Sequence, residues 1–262
     1  MSLVHSEISG GVCTVTLADE DNRNALGGPL LAELMDALDA AEADDSVRVI
    51  VLTNSGKVFC AGANLAERSG RSQGAEPTRR VDPSEMFSRF DKSSKPYVGA
   101  IAGHCVAGGM GLAAAMDISI AIDTAKMGFT EVRIGVAPAM ISVLCLPKMR
   151  EVDARAAFLR GNRFLAPEAA RIGLINAAVP EDQLDAEVDA VVNDLLAGSP
   201  AGLAAAKEIL ARVPEMSTAD AFEWTAEYSA ALFQSDDARE GMAAYLEKRP
   251  ANWIPAESNG ER

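Results

Sequence analysis

The chain has 262 residues, and its hydrophobic share of 48% is ample for one large domain with a buried core. Its formal net charge of −14 argues against a nucleic-acid partner, because phosphate binding requires a basic surface. Two histidines argue against a histidine-based metal site, and four scattered cysteines without a CxxC pair are typical of reduced thiols in the cytosol. We therefore expect a cytoplasmic protein that binds no metal ion.

The first part of the chain alternates predicted strands and helices. Residues 3–8 and 12–17 alternate apolar and polar side chains around two glycines, which predicts a β-hairpin. A helix is predicted to begin near Pro29, because apolar residues recur after it at helical spacing. Residues 47–53 form an apolar run typical of a buried strand.

The middle of the chain continues this alternation after a polar segment. Residues 66–95 are irregular in pattern, which predicts a loop that leads into a short helix near residues 84–90. Further strands are predicted at residues 118–122 and 175–179. Together these elements predict an α/β fold with a mostly parallel sheet flanked by helices.

The C-terminal part of the chain is predicted to contain helices only. One spans residues 183–197, a second begins at Ser199-Pro200, and Asp237 with Glu240 forms a capping-box pattern for the last helix. These helices are amphipathic and carry several aromatic residues. We expect them to cover either the core of the chain itself or a neighbouring subunit.

Neither a signal peptide nor a membrane span is expected. His5 and Glu7 interrupt any early apolar run. Residues 98–116 carry no formal charge apart from His104, but they are rich in glycine and alanine, which insert weakly into membranes. A buried strand, turn and helix is the expected structure of this segment.

Two short glycine-bearing segments, residues 59–65 and 106–111, lie where a predicted strand gives way to a helix. Small residues let the backbone approach a ligand closely, and the start of a helix leaves N–H groups unpaired. Two such turns facing each other would aim two backbone donors at one oxygen, as in an oxyanion hole for a carbonyl that becomes an enolate. The alternative is that both are tight turns that pack a helix against a sheet.

Several short motifs, together with these turns, make the sequence resemble the enoyl-CoA hydratase/isomerase family, which has the crotonase fold. The motifs are Arg23-Asn24-Ala25-Leu26, the two glycine turns, Ser94-Lys95-Pro96, Ile101-Ala102-Gly103, Met116-Asp117, residues 130–135, residues 169–175, Glu240-Gly241-Met242 and Glu247-Lys248-Arg249. The resemblance implies a spiral of ββα units over residues 1–195 and a helical region over residues 196–262 that drives trimerisation. It therefore implies a homotrimer or a dimer of trimers.

The resemblance also implies a binding site for an acyl-CoA thioester. The backbone N–H groups of Ala63 and Gly108 would hold the thioester oxygen, and coenzyme A would enter only as part of the substrate. Residues implied in binding the rest of the substrate are Arg23, Ala25, Leu26, Ala61, Asn64, Leu65, Ala66, Gly111 and Trp253. Trp253 is alternatively an aromatic anchor for the C-terminal tail. No nicotinamide cofactor is expected, because the GxGxxA match at residues 109–114 has no ribose-binding acid at the required distance.

The resemblance implies one carboxylate where two are usual. Hydratases of the family have two glutamates at the double bond; Glu131, with Gly135 four residues on, matches one of them, but Gly111 stands at the other position. Glu131 is then the acid/base of an enoyl-CoA hydratase, and its segment resembles a single-glutamate branch of methylglutaconyl-CoA hydratases. Two alternatives stay open: a 3,2-enoyl-CoA isomerase, which needs one base, and a non-catalytic acyl-CoA-binding or interaction protein. Glu67 and Glu85 are candidates to replace the missing carboxylate.

Overall fold

The computed structural model describes residues 2–70 and 79–254 of the chain. Within these ranges the chain forms ten β-strands and eleven α-helices. The strands are β1 (Val4–Ser9), β2 (Val12–Leu17), β3 (Val49–Asn54), β4 (Val58–Cys60), β5 (Tyr97–Ile101), β6 (His104–Val106), β7 (Ile118–Ile122), β8 (Lys126–Gly128), β9 (Phe164–Leu165) and β10 (Ala177–Val179). The helices are α1 (Gly28–Ala43), α2 (Leu65–Arg68), α3 (Pro83–Lys92), α4 (Gly108–Ala115), α5 (Ala139–Cys145), α6 (Glu151–Arg160), α7 (Ala166–Arg171), α8 (Leu184–Ala197), α9 (Pro200–Arg212), α10 (Thr218–Phe233) and α11 (Asp236–Glu247).

The strands form two sheets that the chain visits in turn. The larger sheet has the order β1-β2-β3-β5-β7-β10, in which β1 is antiparallel to β2 and the other neighbours are parallel. The smaller sheet has the order β4-β6-β8-β9. The pairs β3–β4, β5–β6 and β7–β8 each place their first strand in the larger sheet and their second in the smaller one. This repetition is the predicted spiral of strand pairs and helices.

The order of elements follows the sequence pattern closely. The predicted hairpin is confirmed, with Val4 opposite Leu17, and so is the helix that carries Pro29. The last predicted strand is shorter than expected, because β10 begins at Ala177. Part of the predicted loop after residue 66 is helical, and residues 71–78 of that loop lie outside the described residues. The division of the chain at residue 195 stays a prediction.

Charged side chains attach the C-terminal helices to the core. Lys207 on α9 is 8% exposed, and its Nζ donates hydrogen bonds to both carboxylate oxygens of Asp117 at 2.7 and 2.6 Å. The same ammonium donates to the carbonyl of Phe90 at 2.9 Å. Asp117 also accepts a hydrogen bond from the N–H of Tyr97 at 2.7 Å. Lys207 therefore joins α9 to the end of α3 and the start of β5.

The predicted cap of the last helix is wrong. Helix α11 begins after Ser235, whose hydroxyl accepts a hydrogen bond from the N–H of Ala238 at 3.1 Å. A serine fits this position because its short side chain reaches the free N–H groups of the first turn. The carboxylate of Glu240 pairs instead with Arg249 at 2.6 Å. No helix within the described ranges has both the length and the apolarity that a membrane crossing requires.

Replacing Lys207 with methionine is expected to destabilise the fold. The variant Lys207→Met keeps the length of the side chain but leaves the carboxylate of Asp117 without its cation, so the free energy of unfolding should fall by about 2 kcal/mol. Urea unfolding followed by circular dichroism measures this change. The control is Lys92→Met, because Lys92 is exposed and donates only to Ser88. An equal effect of the two substitutions would contradict the structural role of Lys207.

Candidate active site

Three neighbouring parallel strands bring the predicted catalytic residues together. β4, β6 and β8 are adjacent and parallel, so their carboxyl ends lie at the same edge of the smaller sheet. Ala63 follows β4, Gly108 follows β6 and Glu131 follows β8. A cleft of about 1310 Å³ opens at this edge, and all three residues line it.

The two glycine turns touch each other at the wall of this cleft. Gly62 has a φ of +85°, and a Cβ atom on it would lie 2.7 Å from the Cβ of Ala107 and 2.9 Å from the N of Gly108. A Cβ atom on Gly108 would lie 3.7 Å from the N of Ala63. Among the described residues, neither the N–H of Ala63 nor that of Gly108 has a protein acceptor. We interpret this pair of free, adjacent donors as an oxyanion hole rather than as a packing turn alone.

Ala107 adopts a conformation that alanine rarely takes. Its φ of 51° and ψ of −123° belong to a region that costs a residue with a side chain roughly 1–3 kcal/mol. The N–H of Ala107 donates to the carbonyl of Gly128 at 2.9 Å, and the helix that it precedes is buried over residues 109–114. Packing on both sides therefore holds the strained residue, and the first N–H of α4 is left at the cleft.

Hydrogen bonds join the segment that carries Arg23 to the first turn. The side chain of Asn24 is buried, and its Nδ2 donates to the carbonyl of Val58 at 2.7 Å. The N–H of Leu26 donates to the carbonyl of Gly62 at 2.7 Å. The predicted binding residues that line the cleft are Arg23, Ala25, Leu26, Ala61, Asn64 and Leu65.

Glu131 is the one glutamate among the described residues that line the cleft. It is half-buried at the first position of a 3₁₀ helix, Glu131–Ile134, and its Oε2 is buried without a hydrogen-bond partner among the described residues. Burial raises the pKa of the Glu131 carboxyl above its ordinary value of 4.5, and a hydrogen bond from the residue's own N–H opposes this rise. A raised pKa suits a group that must both accept and return a proton near neutral pH.

Gly111 lies beneath the wall of the cleft and not in it. A Cβ atom on Gly111 would lie 2.3 Å from the Cγ2 of Ile141 and 2.9 Å from the Cε1 of Phe87. Ile141 and Phe87 themselves line the cleft. Apolar side chains therefore occupy the place where the sequence resemblance implies a second carboxylate in two-glutamate hydratases. A glutamate at position 111 would fit only if Ile141 moved.

Neither proposed replacement for the missing carboxylate is in the cleft. Glu67 Oε2 accepts a hydrogen bond from the N–H of Gly28 at 2.9 Å, and Glu85 pairs with Arg79 at 3.2 Å. The residues that line the cleft include Glu131 but neither of these two glutamates. The structure thus gives no support to a second glutamate from the polar segment.

Two more of the predicted contacts lie outside the cleft of a single protomer. The N–H of Ala66 donates to Oδ1 of Asn64 at 3.1 Å, as part of the cap of α2. Trp253 Nε1 donates to the carbonyl of Ala197 at 3.1 Å, and a Cβ atom on Gly241 would lie 3.1 Å from its ring. Within one chain Trp253 therefore anchors the C-terminal tail, as the alternative interpretation predicts.

The sequence did not reveal the apolar wall of the cleft. Residues that form this wall are Leu31, Met86, Phe87, Pro138, Met140 and Ile141. A partial signal exists on α3, where Met86, Phe87 and Phe90 lie at helical spacing and are all buried. That pattern predicts an apolar helix face, but it does not say that the face borders a ligand cleft.

A smaller depression of about 630 Å³ adjoins the cleft and is rich in cations. Arg23, Ala61, Val106 and Arg163 line both cavities. Lys57 and Lys126 line the smaller one, and Glu20 is its single acidic lining residue. A chain with a net charge of −14 therefore gathers four cations at one place, which suits an anionic group such as a phosphate.

Comparisons with known proteins agree with this geometry. The family described as enoyl-CoA hydratase/isomerase matches residues 7–255. A protein of Thermus thermophilus assigned as an enoyl-CoA hydratase is 38% identical over 244 residues, which is 92% of this chain and 96% of the relative. A crotonyl-CoA hydratase of Syntrophomonas wolfei is 30% identical over 88% of this chain and 90% of its own length.

The solved structures lead to the same family. A crystal structure from Legionella pneumophila, assigned as an enoyl-CoA hydratase/isomerase (crotonase), superposes with a TM-score of 0.86 at 30% identity and covers 97% of this chain and 99% of its own. The chain belongs to the enoyl-CoA hydratase/isomerase family and has the crotonase fold. The sequence-based predictions of the family and of the fold are therefore both confirmed.

Replacing Glu131 with glutamine is expected to stabilise the protein at neutral pH. The folded state binds the carboxyl proton more tightly than the unfolded state, so the wild type loses stability as the pH rises through 4.5 and then through the raised pKa. The variant Glu131→Gln has no carboxyl group at this position to ionise, so it does not lose stability in this pH range. Urea unfolding at a series of pH values should therefore show a stability advantage of the variant at pH 7 that closes under acidic conditions. An advantage that grows toward acidic pH would contradict a raised pKa.

Proposed function

We propose that the protein is an enoyl-CoA hydratase that adds water to a 2-enoyl-CoA and, in reverse, removes it from the 3-hydroxyacyl-CoA. The single observation that carries this proposal is that two free backbone donors and a half-buried glutamate meet in one cleft. The names of the related proteins support it, and no other group is needed for the chemistry. Proton transfer and charge stabilisation are supplied by the chain, so we infer no cofactor apart from the coenzyme A of the substrate.

The oxyanion hole stabilises the charge that forms on the substrate. When the oxygen of water bonds to C3, electrons move from the double bond toward C2 and the thioester oxygen, which gains negative charge. The N–H groups of Ala63 and Gly108 donate to that oxygen while the charge is present. Loss of one such donor typically costs about 3 kcal/mol of transition-state stabilisation. This differential binding is what makes the hole catalytic and not merely a substrate site.

Glu131 moves the protons. As a carboxylate it accepts a proton from the attacking water, and as a carboxylic acid it delivers a proton to C2, so that the elements of water are added and the glutamate is regenerated. Its raised pKa reduces the energetic difference between the two protonation states at neutral pH. A single carboxylate can serve both steps because C2 and C3 are adjacent atoms of one planar group.

The nucleotide end of the substrate is proposed to lie where the two cavities join. Arg23 lines both cavities, and Lys57, Lys126 and Arg163 are close enough to line the smaller one with it. Cations of this kind attract phosphate groups strongly when they share one surface. The acyl chain would then extend in the other direction, toward the apolar wall that includes Phe87 and Ile141.

One observation favours a second candidate, 3,2-enoyl-CoA isomerisation. Ile141 and Phe87 fill the space beside Gly111, so this wall of the cleft has no carboxylate to hold the attacking water. An isomerase removes a proton from C2 and returns one to C4, and one base suffices for both transfers. The same oxyanion hole would stabilise the intermediate enolate. Product analysis separates the two reactions, because only hydration adds an oxygen.

Removing the acid/base of Glu131 is expected to abolish turnover. Glu131→Gln should lower kcat about 10³-fold with 2-enoyl-CoA substrates, while substrate binding is retained. The measurement is the change in conjugated absorbance, which hydration of a 2-enoyl thioester lowers and isomerisation of a 3-enoyl thioester raises, together with mass analysis of the product for added water. Glu85→Gln is the matched control, since Glu85 lies outside the cleft. Full activity of the Glu131 variant would exclude it as the acid/base, and a wild type that binds but turns over neither thioester would favour the non-catalytic alternative.

We also propose that the protein forms a trimer, or a dimer of trimers, in the cytoplasm. Helix α10 has no buried residue, and α11 has one. Large apolar side chains exposed on these two helices are Phe222, Phe233, Met242, Tyr245 and Leu246. Apolar patches of this kind mark surfaces that bind another protein. All four cysteines are buried free thiols, in agreement with a reducing compartment.

The oligomer is expected to depend on the apolar side chains of α11. Light scattering after gel filtration should give three or six times the chain mass at micromolar concentration. Leu246→Asp, at a position that is 79% exposed, should shift the protein to smaller species without loss of helix content, because a charge disfavours an apolar interface. A stable monomer of the wild type at micromolar concentration would overturn the proposal.

A further inference from the structure

The N–H of Ala63 depends on a short helix that has little apolar anchoring of its own. Helix α2 begins two residues after Ala63, consists of four residues and buries none of them. Packing of apolar side chains from α2 therefore does not fix this donor. The backbone bridge to Leu26 holds Ala63, with the N–H of Asn64 donating to the carbonyl of Leu26 at 3.4 Å, and Glu67 adds the polar contacts that tie α2 to the start of α1.

Glu67 caps a helix to which it does not belong. Its Oε2 accepts a hydrogen bond from the N–H of Gly28, at the first position of α1, at 2.9 Å. Its Oε1 accepts a hydrogen bond from Nδ2 of Asn64 at 3.2 Å. Helix α1 has no side-chain cap at Gly27 and no acidic residue in its first turn, so this carboxylate is what meets the free N–H groups and the positive end of the helix.

The glycine at position 27 is explained by this carboxylate. Gly27 has a φ of −96° and a ψ of 167°, which any residue can adopt, so backbone conformation does not require glycine. A Cβ atom there would lie only 2.3 Å from Oε1 and 2.9 Å from Cδ of Glu67. The absence of a side chain at position 27 makes the room that the carboxylate of Glu67 occupies. The two residues are thus complementary in shape.

We propose that Glu67 is a positioning residue for the oxyanion hole. It does not line the cleft and moves no proton. It holds α2 and Asn64 against the start of α1, and the backbone of Ala63 lies between two bonded neighbours, with Gly62 accepting from Leu26 and Asn64 held by Glu67. This inference rests on the proposed role of the Ala63 N–H, and it assigns Glu67 an effect on transition-state binding.

The first test separates positioning from simple stability. Glu67→Ala should lower kcat about 10-fold and change KM by less than about twofold, because a displaced donor weakens transition-state binding most. Glu67→Gln should recover most of kcat, since its amide oxygen can still accept from Gly28. The control is Glu33→Ala, which removes a carboxylate on α1 that accepts from the N–H groups of Leu3 and Val4 and does not line the cleft. Loss of thermal stability with unchanged kcat in Glu67→Ala would overturn the proposal.

The second test uses the steric relation between positions 27 and 67. Gly27→Ala alone should lower kcat, because the new methyl group displaces the carboxylate of Glu67. In the Glu67→Ala background the same substitution should have little further effect on kcat. Independent, multiplicative effects of the two substitutions would contradict a shared mechanism.

A binding experiment distinguishes failure of this inference from failure of the proposed function. A 3-ketoacyl-CoA places enolate charge on its thioester oxygen and reports on the oxyanion hole by its enolate absorbance without turnover. If the wild type binds it and Glu67→Ala binds it about 10-fold more weakly, while Glu33→Ala does not differ, the positioning role stands even if no hydration is found. Equal binding by wild type and Glu67→Ala refutes the positioning role alone. No binding by the wild type refutes both.

Discussion

The contact between Gly62 and Gly108 is the constraint on which the rest of the site depends. Two backbone donors can meet one oxygen only if the turns that carry them touch, and they touch only where β4 and β6 are parallel neighbours that end at the same edge. The same close approach of the two turns continues into the core, where a Cβ atom on Gly109 would lie 2.6 Å from the carbonyl oxygen of Cys60. The strained backbone of Ala107 is tolerated because the buried α4 on one side and Gly128 on the other hold it in place.

The absence of a carboxylate at Gly111 follows from how this core is packed. Ile141 and Phe87 lie so close to Gly111 that an acidic side chain has no room on that side. Burial removes water from the carboxyl group of Glu131 and raises its pKa. Glu131 is the one glutamate among the residues that line the cleft, and the proposed reactions move their protons through it.

The C-terminal helices are anchored to the core before α10 and after α11, and α10 and α11 themselves are largely exposed. Lys207 fixes α9 through Asp117, and Arg48 donates from its guanidinium to the carbonyls of Gly198 and Trp253. Between these anchors, α10 and α11 direct much of their apolar surface outward. Exposed apolar surface of this kind is typical of protein–protein interfaces, which supports the proposed assembly.

The sequence by itself determined the order of elements and the family, and it predicted the donors at Ala63 and Gly108 and the acid/base at Glu131. These features are local: a glycine turn after a strand, helical spacing on α1, and a short motif around Glu131 all reflect interactions between residues close in the chain. The predicted cap at Asp237 failed because Ser235, two residues earlier, offers a shorter acceptor to the same turn.

Only the tertiary structure decided what surrounds these residues. That Ile141 fills the space beside Gly111, that Glu67 caps α1 and that Trp253 lies on Gly241 depends on contacts between segments far apart in the chain. No local pattern encodes such distances, because the packing of two segments is set by how all the strands between them pair. The sequence therefore indicates which groups can do chemistry, and the fold determines which of them share a cleft.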